Sequence, residues 1–448
     1  MSIVGPTGPI GPQGEKGKNG RNGLEGPTGA SGSGGQLVVL DNPSLIINNS
    51  YNISPTGNSS NTYLKNCTIT SGINKDFCPL GSGLNGQQCS AIAISGTDIY
   101  VGGNFTTAGG VSANNIAKYN TLTNTWSPLG SGLGSTCRAI AILGTDIYVG
   151  GEFSTAGGVT VNFIAKYNGT IWSALGSGLS GFCNAIAISG TDIYAGGSFI
   201  TASGITVNRI AKYDGANWFA LGSGTFIGLS GTCNAIAISG TNIYTGGSFS
   251  TAGGIPANNI AKYDGTNWSP LGTGLNSICN TIAISGTDIY AGGNFFTAGG
   301  VLVNNIAKYD GTNWSALGSG LNSQCNAIAI SGTDIYAVGF FTMASGVGVN
   351  YIAKYNGTNW SALSLELNSL CSAIAIANTD IYVGGSFSIF NNGPANRIAK
   401  YSFDYININY NSQKISRLYN NLIAAQVNSY SNNGTTYVNV INNINSFT

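Results

Sequence analysis

The sequence predicts an all-β fold, a closed seven-bladed β-propeller of four-stranded blades that follows a short triple-helical arm. Three observations predict it. A unit of about 46 residues occurs seven times, each unit contains four short strand patterns, and glycine recurs at every third position near the N-terminus. Repeats of this length are typical of propellers and solenoids. Units of four strands without helical periodicity favour the propeller.

The N-terminal arm is defined by its glycines. They form nine consecutive Gly-X-Y triplets, with glycine at Gly5, Gly8, Gly11, Gly14, Gly17, Gly20, Gly23, Gly26 and Gly29. Only glycine fits at the crowded axis of the collagen triple helix. A flexible glycine-rich linker would explain the glycine content but not its strict period. We therefore expect residues 1–35 to form a collagen-like arm that joins three chains into a homotrimer.

Each repeat unit begins with a cysteine, and a tryptophan keeps step with it in six of the seven units. The four strand patterns of one unit are CNAIAI, DIYAGGSF, NNIAKY and NWSAL, separated by turn sequences such as SGTD and DGTN. The repeated residues are Cys89, Cys137, Cys183, Cys233, Cys279, Cys325 and Cys371, and Trp126, Trp172, Trp218, Trp268, Trp314 and Trp360.

The two ends of the repeat region predict how the ring closes. The seventh unit stops after Tyr401 without a tryptophan strand, whereas residues 77–84 (FCPLGSGL) match residues 126–133 (WSPLGSGL). We expect the strand with Phe77 and Leu80 to complete the last blade and remove two open sheet edges. The propeller then spans residues 77–401. Residues 36–76 are a linker or trimerisation segment. Residues 402–448 are a tail with a candidate amphipathic helix at residues 411–426 and a candidate strand at residues 435–444.

The cysteines are expected to be structural. Equivalent inner strands of a propeller lie about 10 Å apart, beyond the ~7 Å limit for a disulfide, and no Cys-x-x-Cys pair suggests a soft-metal site. We expect each cysteine to be a small apolar filler, alternating with residues such as Ala91 and Ala93 on one strand face. Cys67 and Cys78 lie outside the repeat, and the sequence leaves open whether they form a disulfide.

The composition argues against several functions. Charged residues are 7% of the chain and the formal net charge is +1, so the basic stripe of a nucleic-acid-binding protein is not expected. Histidine, the usual general acid or base, is absent from the sequence. We interpret the repeated aspartates (Asp98 and its equivalents) as turn caps and the repeated lysines (Lys118 and its equivalents) as solvated strand residues. No unique polar cluster interrupts the repetition, so we expect no enzyme, cofactor or metal.

Ligand binding is the more plausible role of the ring. The second-to-third and fourth-to-first loops share one face and vary most in sequence, as recognition loops do. The residue after each cysteine lies on the same rim, and these residues are candidates for binding a sugar or a peptide at the channel mouth: Ser90, Arg138, Asn184, Asn234, Asn280, Asn326 and Ser372. The alternative is a hydrated channel mouth that binds no ligand.

The repeat resembles the kelch-type propeller repeat. A Gly-Gly doublet ends one strand, a tyrosine lies in the next and a tryptophan in the one after, as in Gly102-Gly103, Tyr119 and Trp126. The resemblance implies the architecture over residues 77–401 but not the function, because kelch-like propellers serve as enzymes, adaptors and lectin-like heads. Blade six departs from it, since Ala337-Val338-Gly339 replaces the doublet and a different local bend is expected there.

A protein with a collagen-like arm and no export signal resembles the collagen-like surface-fibril proteins of large DNA viruses. That resemblance implies a structural and attachment protein of the virion surface, with Lys16 as a candidate for hydroxylation and glycosylation. A chain that starts at this methionine carries no secretory signal and no segment apolar enough to span a bilayer, so we expect assembly in the host cytoplasm. Spore-surface filament proteins of bacteria, an intracellular kelch-like adaptor and a carbohydrate-active enzyme are the alternatives.

Overall fold

The computed structural model describes residues 76–363, 367–378, 380–390, 393–402, 405–410, 426–432 and 435–441. Within these residues it contains β-strands, turns and loops, and none of the segments is a helix. Accordingly, no helix long and apolar enough to span a bilayer occurs in this part of the chain. The collagen-like arm, Lys16, Cys67 and the predicted tail helix lie outside the described residues, as does the side chain of Cys78.

Residues 77–401 form one compact unit, built from seven antiparallel sheets of four strands each. The prediction of a seven-bladed all-β propeller is confirmed. The innermost strands of blades one to seven are Gln88–Ser95, Cys137–Leu143, Cys183–Ser189, Thr232–Ser239, Cys279–Ser285, Cys325–Ser331 and Cys371–Ala377. The second strands are Asp98–Asn104, Asp146–Gly151, Asp192–Gly197, Asn242–Ser248, Asp288–Gly293, Asp334–Gly339 and Asp380–Gly385.

The outer half of each blade carries the Ile-Ala-Lys-Tyr and tryptophan patterns. The third strands are Ile116–Asn120, Ile164–Tyr167, Ile210–Tyr213, Ile260–Tyr263, Ile306–Tyr309, Ile352–Tyr355 and Ile398–Ser402. The fourth strands of blades one to six are Thr125–Pro128, Trp172–Ala174, Trp218–Ala220, Trp268–Pro270, Trp314–Ala316 and Trp360–Ala362. Tyrosine and tryptophan pair across these strands, with ring centres 5.1 Å apart for Tyr119 and Trp126.

The ring is closed by the N-terminal strand. Strand Asp76–Pro79 pairs with the third strand of blade seven and supplies its fourth strand. Immediately after it, the Leu84 amide donates to the Asn396 carbonyl at 2.9 Å, and the Trp126 indole donates to the Leu80 carbonyl at 2.9 Å. Because the other five tryptophans donate to a leucine carbonyl of the preceding blade in the same way, the seam between blades seven and one repeats the ordinary blade interface.

The second-to-third loop of each blade folds into a short hairpin. In blade one its strands are Thr107–Ala108 and Val111–Ser112, and Ala108 forms a bridge with Leu84 of the preceding fourth-to-first loop. The other hairpins are Thr155–Ala156 with Val159–Thr160, Thr201–Ala202 with Ile205–Thr206, Thr251–Ala252 with Ile255–Pro256, Thr297–Ala298 with Val301–Leu302, Met343–Ala344 with Val347–Gly348, and Ile389–Phe390 with Gly393–Pro394; Gly222–Ser223 pairs with Phe226–Ile227 in a longer loop. The two loop sets therefore share one face, here called the loop face.

The C-terminal tail belongs to a second unit. Its described strands are Tyr405–Tyr410, Gln426–Asn432 and Thr435–Ile441, with the last of these in the middle of a three-stranded antiparallel sheet. The predicted tail strand, residues 435–444, overlaps the central strand.

The altered doublet of blade six leaves its strand pairing unchanged. Val338 pairs with Ala327 on one side and with Ile352 on the other. These are the same register positions that Gly292 occupies in blade five, between Thr281 and Ile306. The backbone pairing of the blade therefore does not require glycine at this position.

Candidate ligand-binding face of the propeller

The candidate rim residues lie at a β-bulge in each inner strand. In blade one Cys89 pairs with Gly103 and Ala91 with Gly102, which leaves Ser90 without a partner in the ladder. The same register shift follows the cysteine in every blade. An extra residue of this kind redirects the side chains around it. The bulge therefore sets the position of each residue proposed from the sequence as a rim residue.

The bulge also corrects the predicted face of the cysteines. A Cβ added to Gly384 of blade seven would meet both Cys89 Sγ and Ile92 Cδ1. Cys89 thus shares a face with Ile92, three residues on, and not with Ala91 and Ala93. The simple alternation was wrong because one unpaired residue shifts the period of two by one position.

All seven repeated cysteines are free and have no exposed surface. Six of these thiols face a glycine of the preceding blade, as Cys137 faces Gly102 and Cys183 faces Gly150. Burial raises the pKa of every one of these thiols, to about 12 for Cys137 and Cys279. A thiol held in its neutral form is a poor nucleophile and a poor metal ligand. Among the described residues no group of His, Cys, Asp or Glu is arranged to bind a metal ion.

Hydrogen bonds connect the rim residues of successive blades. The Asn184 amide donates to the Cys233 carbonyl at 3.3 Å, and the Asn234 amide donates to the Cys279 carbonyl at 3.4 Å. Asn280 and Asn326 make the same bond to Cys325 and Cys371, at 3.3 and 2.7 Å. Gln88, which precedes Cys89, donates to Ser372. The rim residues of blades three to six are therefore held in place from blade to blade.

The repeated aspartates and lysines form ion pairs, which corrects their predicted roles as turn caps and solvated residues. Lys118 Nζ lies 3.1 Å from Asp98 Oδ2 on the neighbouring strand. The pairs Lys166–Asp146, Lys212–Asp192, Lys308–Asp288, Lys354–Asp334 and Lys400–Asp380 repeat the contact at 2.6–3.1 Å. Each of these aspartate carboxylates is therefore paired with a lysine of its own blade. The turn-capping role belongs to residues such as Asp214, whose carboxylate accepts from the Ala216 and Asn217 amides.

The hairpins of the loop face present an uncharged surface. Residues 106–114 and their equivalents in the other six blades contain no Asp, Glu, Lys or Arg. One aliphatic residue lies beyond the turn of each of the first six hairpins, with 38–45% of its surface exposed: Val111, Val159, Ile205, Ile255, Val301 and Val347. The loop face therefore combines exposed aliphatic tips with hydroxyl and amide groups.

One interface interrupts this regular pattern. Between blades two and three, Arg138, Glu152, Phe163, Phe182 and Asn184 lie together; we call this group the Arg138 cluster. The Arg138 guanidinium donates to Glu152 Oε1 through Nε at 2.8 Å and also through Nη2, and its Nη1 donates to Asn184 Oδ1 at 3.3 Å. Its central carbon is 5.7 Å from the centre of the Phe182 ring, whose edge contact with Phe163 is also 5.7 Å between centres.

The sequence reasoning missed this cluster, because it proposed Arg138 and Asn184 only as members of the rim and found no unique polar group. The signal was present in the blade alignment. The position of Glu152 is occupied by Asn104, Ser198, Ser248, Asn294, Phe340 and Ser386 in the other blades, and that of Phe182 by Gln88, Thr136, Thr232, Ile278, Gln324 and Leu370. Blades two and three therefore combine an acidic, a basic and an aromatic residue at positions where no other interface combines them.

One family model and several solved structures are similar to this chain. Residues 78–227, one third of the chain, match the family model described as the Rax2 C-terminal beta propeller domain. No curated protein sequence matches the chain. Solved structures with a similar fold include the WD40 beta propeller domain of Doa1, which is 10% identical with a TM-score of 0.47 and covers 73% of this chain and 96% of its own. The computationally designed Ika8 protein is 15% identical with a TM-score of 0.43, covering 71% of this chain and 98% of its own.

Proposed function

We propose that this chain is a non-enzymatic structural and attachment protein in which collagen-like arms join three copies, and each propeller binds a glycan or a protein on its loop face. One observation carries the binding role. Four asparagines of the rim are held by side-chain-to-backbone hydrogen bonds from one blade to the next, as Asn184 is to Cys233. Polar groups fixed in advance lose little conformational entropy when a ligand binds.

The trimer follows from the glycine period of residues 5–31. Three propellers on one stalk would raise the apparent affinity of a weak site through avidity, by about 10²–10⁴ where all three sites can engage. We place the assembled trimer on a virion surface. This location is supported by the resemblance of a Gly-X-Y arm joined to a repeat-built domain to collagen-like viral surface proteins.

The proposed assembly is tested by sedimentation equilibrium of the full chain. We expect a mass three times the chain mass of 45.7 kDa, and we expect Gly17→Val to yield monomers because a side chain does not fit at the triple-helix axis. Asn19→Val, at a Y position of the same triplet, is the matched control and should remain trimeric. A monomeric full chain would refute the stalk.

The proposed location and role are tested on particles and on cells. Immunogold labelling of purified particles should mark their surface, and the trimer should bind host cells at least a hundredfold more tightly than the Gly17→Val monomer. The intracellular adaptor would be favoured by two results together: the protein is found only in the soluble cytoplasmic fraction and not on particles, and the trimer and the Gly17→Val monomer bind host cells equally.

A further inference from the structure

We propose that the Arg138 cluster is a binding subsite for a neutral saccharide, an inference that rests on the proposed binding role of the loop face. Phe182 directly precedes the inner strand of blade three, and Glu152 directly follows the second strand of blade two. Both strand ends lie at the edge from which the fourth-to-first and second-to-third loops leave. The cluster therefore lies on the loop face, where the inner strands surround the channel.

The aromatic ring provides the first requirement of a sugar site. Phe182 is 42% exposed, although a phenylalanine gains free energy from burial. One side of its ring is occupied by Arg138, and the ring meets that of Phe163 in an edge-type contact with centres 5.7 Å apart, so the ring is held in a fixed orientation. An exposed and oriented aromatic face is suited to the C–H face of a pyranose, which is the apolar side of an otherwise hydroxylated molecule.

The polar groups supply the second requirement and set the charge of the ligand. Two donors of Arg138 point at Glu152 and a third at Asn184. The guanidinium charge is thus balanced within the cluster, and a phosphate or sialic acid would have to displace Glu152. Vicinal hydroxyl groups, by contrast, can donate to a carboxylate and accept from the remaining N–H groups of a guanidinium without displacing either. These groups select a neutral, hydroxylated ligand.

A purely structural role explains the cluster less well. The Arg138 and Glu152 side chains are 42% and 27% exposed, and ion pairs with such access to water contribute little to stability.

The chain offers matched variants for a test. Phe182→Thr and Arg138→Asn with Glu152→Ser place in the cluster residues that other blades carry at the same positions, so these variants are expected to fold. Phe219→Ala is the control, because Phe219 is 43% exposed and lies 5.7 Å from the Lys212 ammonium, but on the fourth strand of blade three.

The experiment is saturation-transfer NMR on the full-length chain. The probes are the methyl glycosides of glucose, galactose, mannose and N-acetylglucosamine, with N-acetylneuraminic acid and glucuronic acid as anionic probes. We expect at least one neutral glycoside to bind in preference to both acids. Phe182→Thr and the double variant should weaken that binding at least tenfold, and Phe219→Ala should leave it unchanged.

Three outcomes would overturn the inference: no neutral glycoside binds, an acid binds more tightly than every neutral glycoside, or Phe182→Thr binds the glycoside as the parent does. Cell binding and oligomeric state distinguish a failure of this inference from a failure of the proposed function. If Phe182→Thr trimers bind host cells as the parent does, the saccharide subsite is refuted while the attachment role stands. If the parent chain is monomeric and binds no cell surface, the attachment role itself is refuted.

Discussion

Cys89 Sγ packs directly against the Cα of Gly384, so that the first blade fills the space which a side chain of the seventh would need. The same contact joins Cys137 to Gly102 and Cys183 to Gly150 inside the ring. The cysteine and the first glycine of the doublet are therefore two halves of one interface. Their pairing across the seam means that ring closure uses the contacts of an ordinary blade boundary.

Gly384→Ala should destabilise the propeller by about 1–3 kcal/mol, the usual cost of adding a methyl group to a filled interior. A Cβ on Gly384 would overlap Cys89, and the Cys89 thiol has no exposed surface into which it could move. Urea unfolding followed by tryptophan fluorescence measures the change. Gly348→Ala is the control, because a Cβ there meets no atom within 4 Å. Equal stability of the two variants would show that the seam is loosely packed.

Alkaline solution should destabilise the propeller through its seven repeated thiols. The ordinary thiol pKa of 9.0 is raised by burial for all seven repeated cysteines. Between pH 9 and the folded-state values the unfolded chain binds fewer protons than the native one. The free energy of unfolding must therefore fall as pH rises, by up to about 1.4 kcal/mol per pH unit for each thiol.

Urea unfolding at steps from pH 8 to pH 10 measures this slope. Cys137→Ala should reduce it by the share of one thiol, because the variant lacks one group whose pKa is raised in the folded state. Its stability at pH 8 should also be lower, since the interface with Gly102 loses the sulfur. A slope that is the same in the variant and the parent would contradict the assignment to the thiols.

The propeller architecture was readable from the sequence because each blade repeats a short-range pattern. The match of residues 77–84 to residues 126–133 predicted the closing strand, since six of the eight positions are identical. The side of the sheet on which Cys89 lies could not be predicted from the alternation of residues along the strand. A β-bulge leaves Ser90 unpaired and shifts the two-residue alternation by one position. The lysine–aspartate pairs were missed although their 20-residue separation is constant, as in Lys118 and Asp98.

The candidate site was predicted only in part. The rim position of Asn184 followed from its place after Cys183, but its hydrogen bond to the next blade depends on the curvature of the ring. Glu152 and Phe182 come from different blades and are 30 residues apart in sequence. They come close to Arg138 only because blades two and three pack against each other. An alignment of the repeats shows that Glu152 and Phe182 are unusual residues at their positions, but it does not show that they are in contact.

Asn242→Asp should stabilise the chain by about 0.2–1 kcal/mol, the usual range of a partly exposed ion pair. Blade four has asparagine where the other blades have aspartate, and among the described residues Lys262 forms no salt bridge. The new carboxylate should pair with Lys262 as Asp288 does with Lys308 at 2.9 Å. Urea unfolding at low salt measures the gain, which should decrease in 1 M salt.

A double-mutant cycle supplies the control for this pair. In the Lys262→Gln background, Asn242→Asp should give no gain, because the partner of the new carboxylate has been removed. A gain of the same size in both backgrounds would mean that the added carboxylate acts on the turn and not on Lys262.

Tyr351→Asn should stabilise blade six by about 1 kcal/mol, through backbone strain relief and one additional hydrogen bond. Tyr351 has φ of 72°, a left-handed conformation that asparagine adopts more readily than an aromatic residue. At the equivalent position of blade five, Asn305 donates to the Leu321 carbonyl at 2.9 Å. We expect the new asparagine to donate to Leu367 in the same way. Urea unfolding should show the gain, and the reverse change Asn305→Tyr should lower stability. If Tyr351→Asn instead destabilises the blade, the packing of the tyrosine ring outweighs the strain in its backbone.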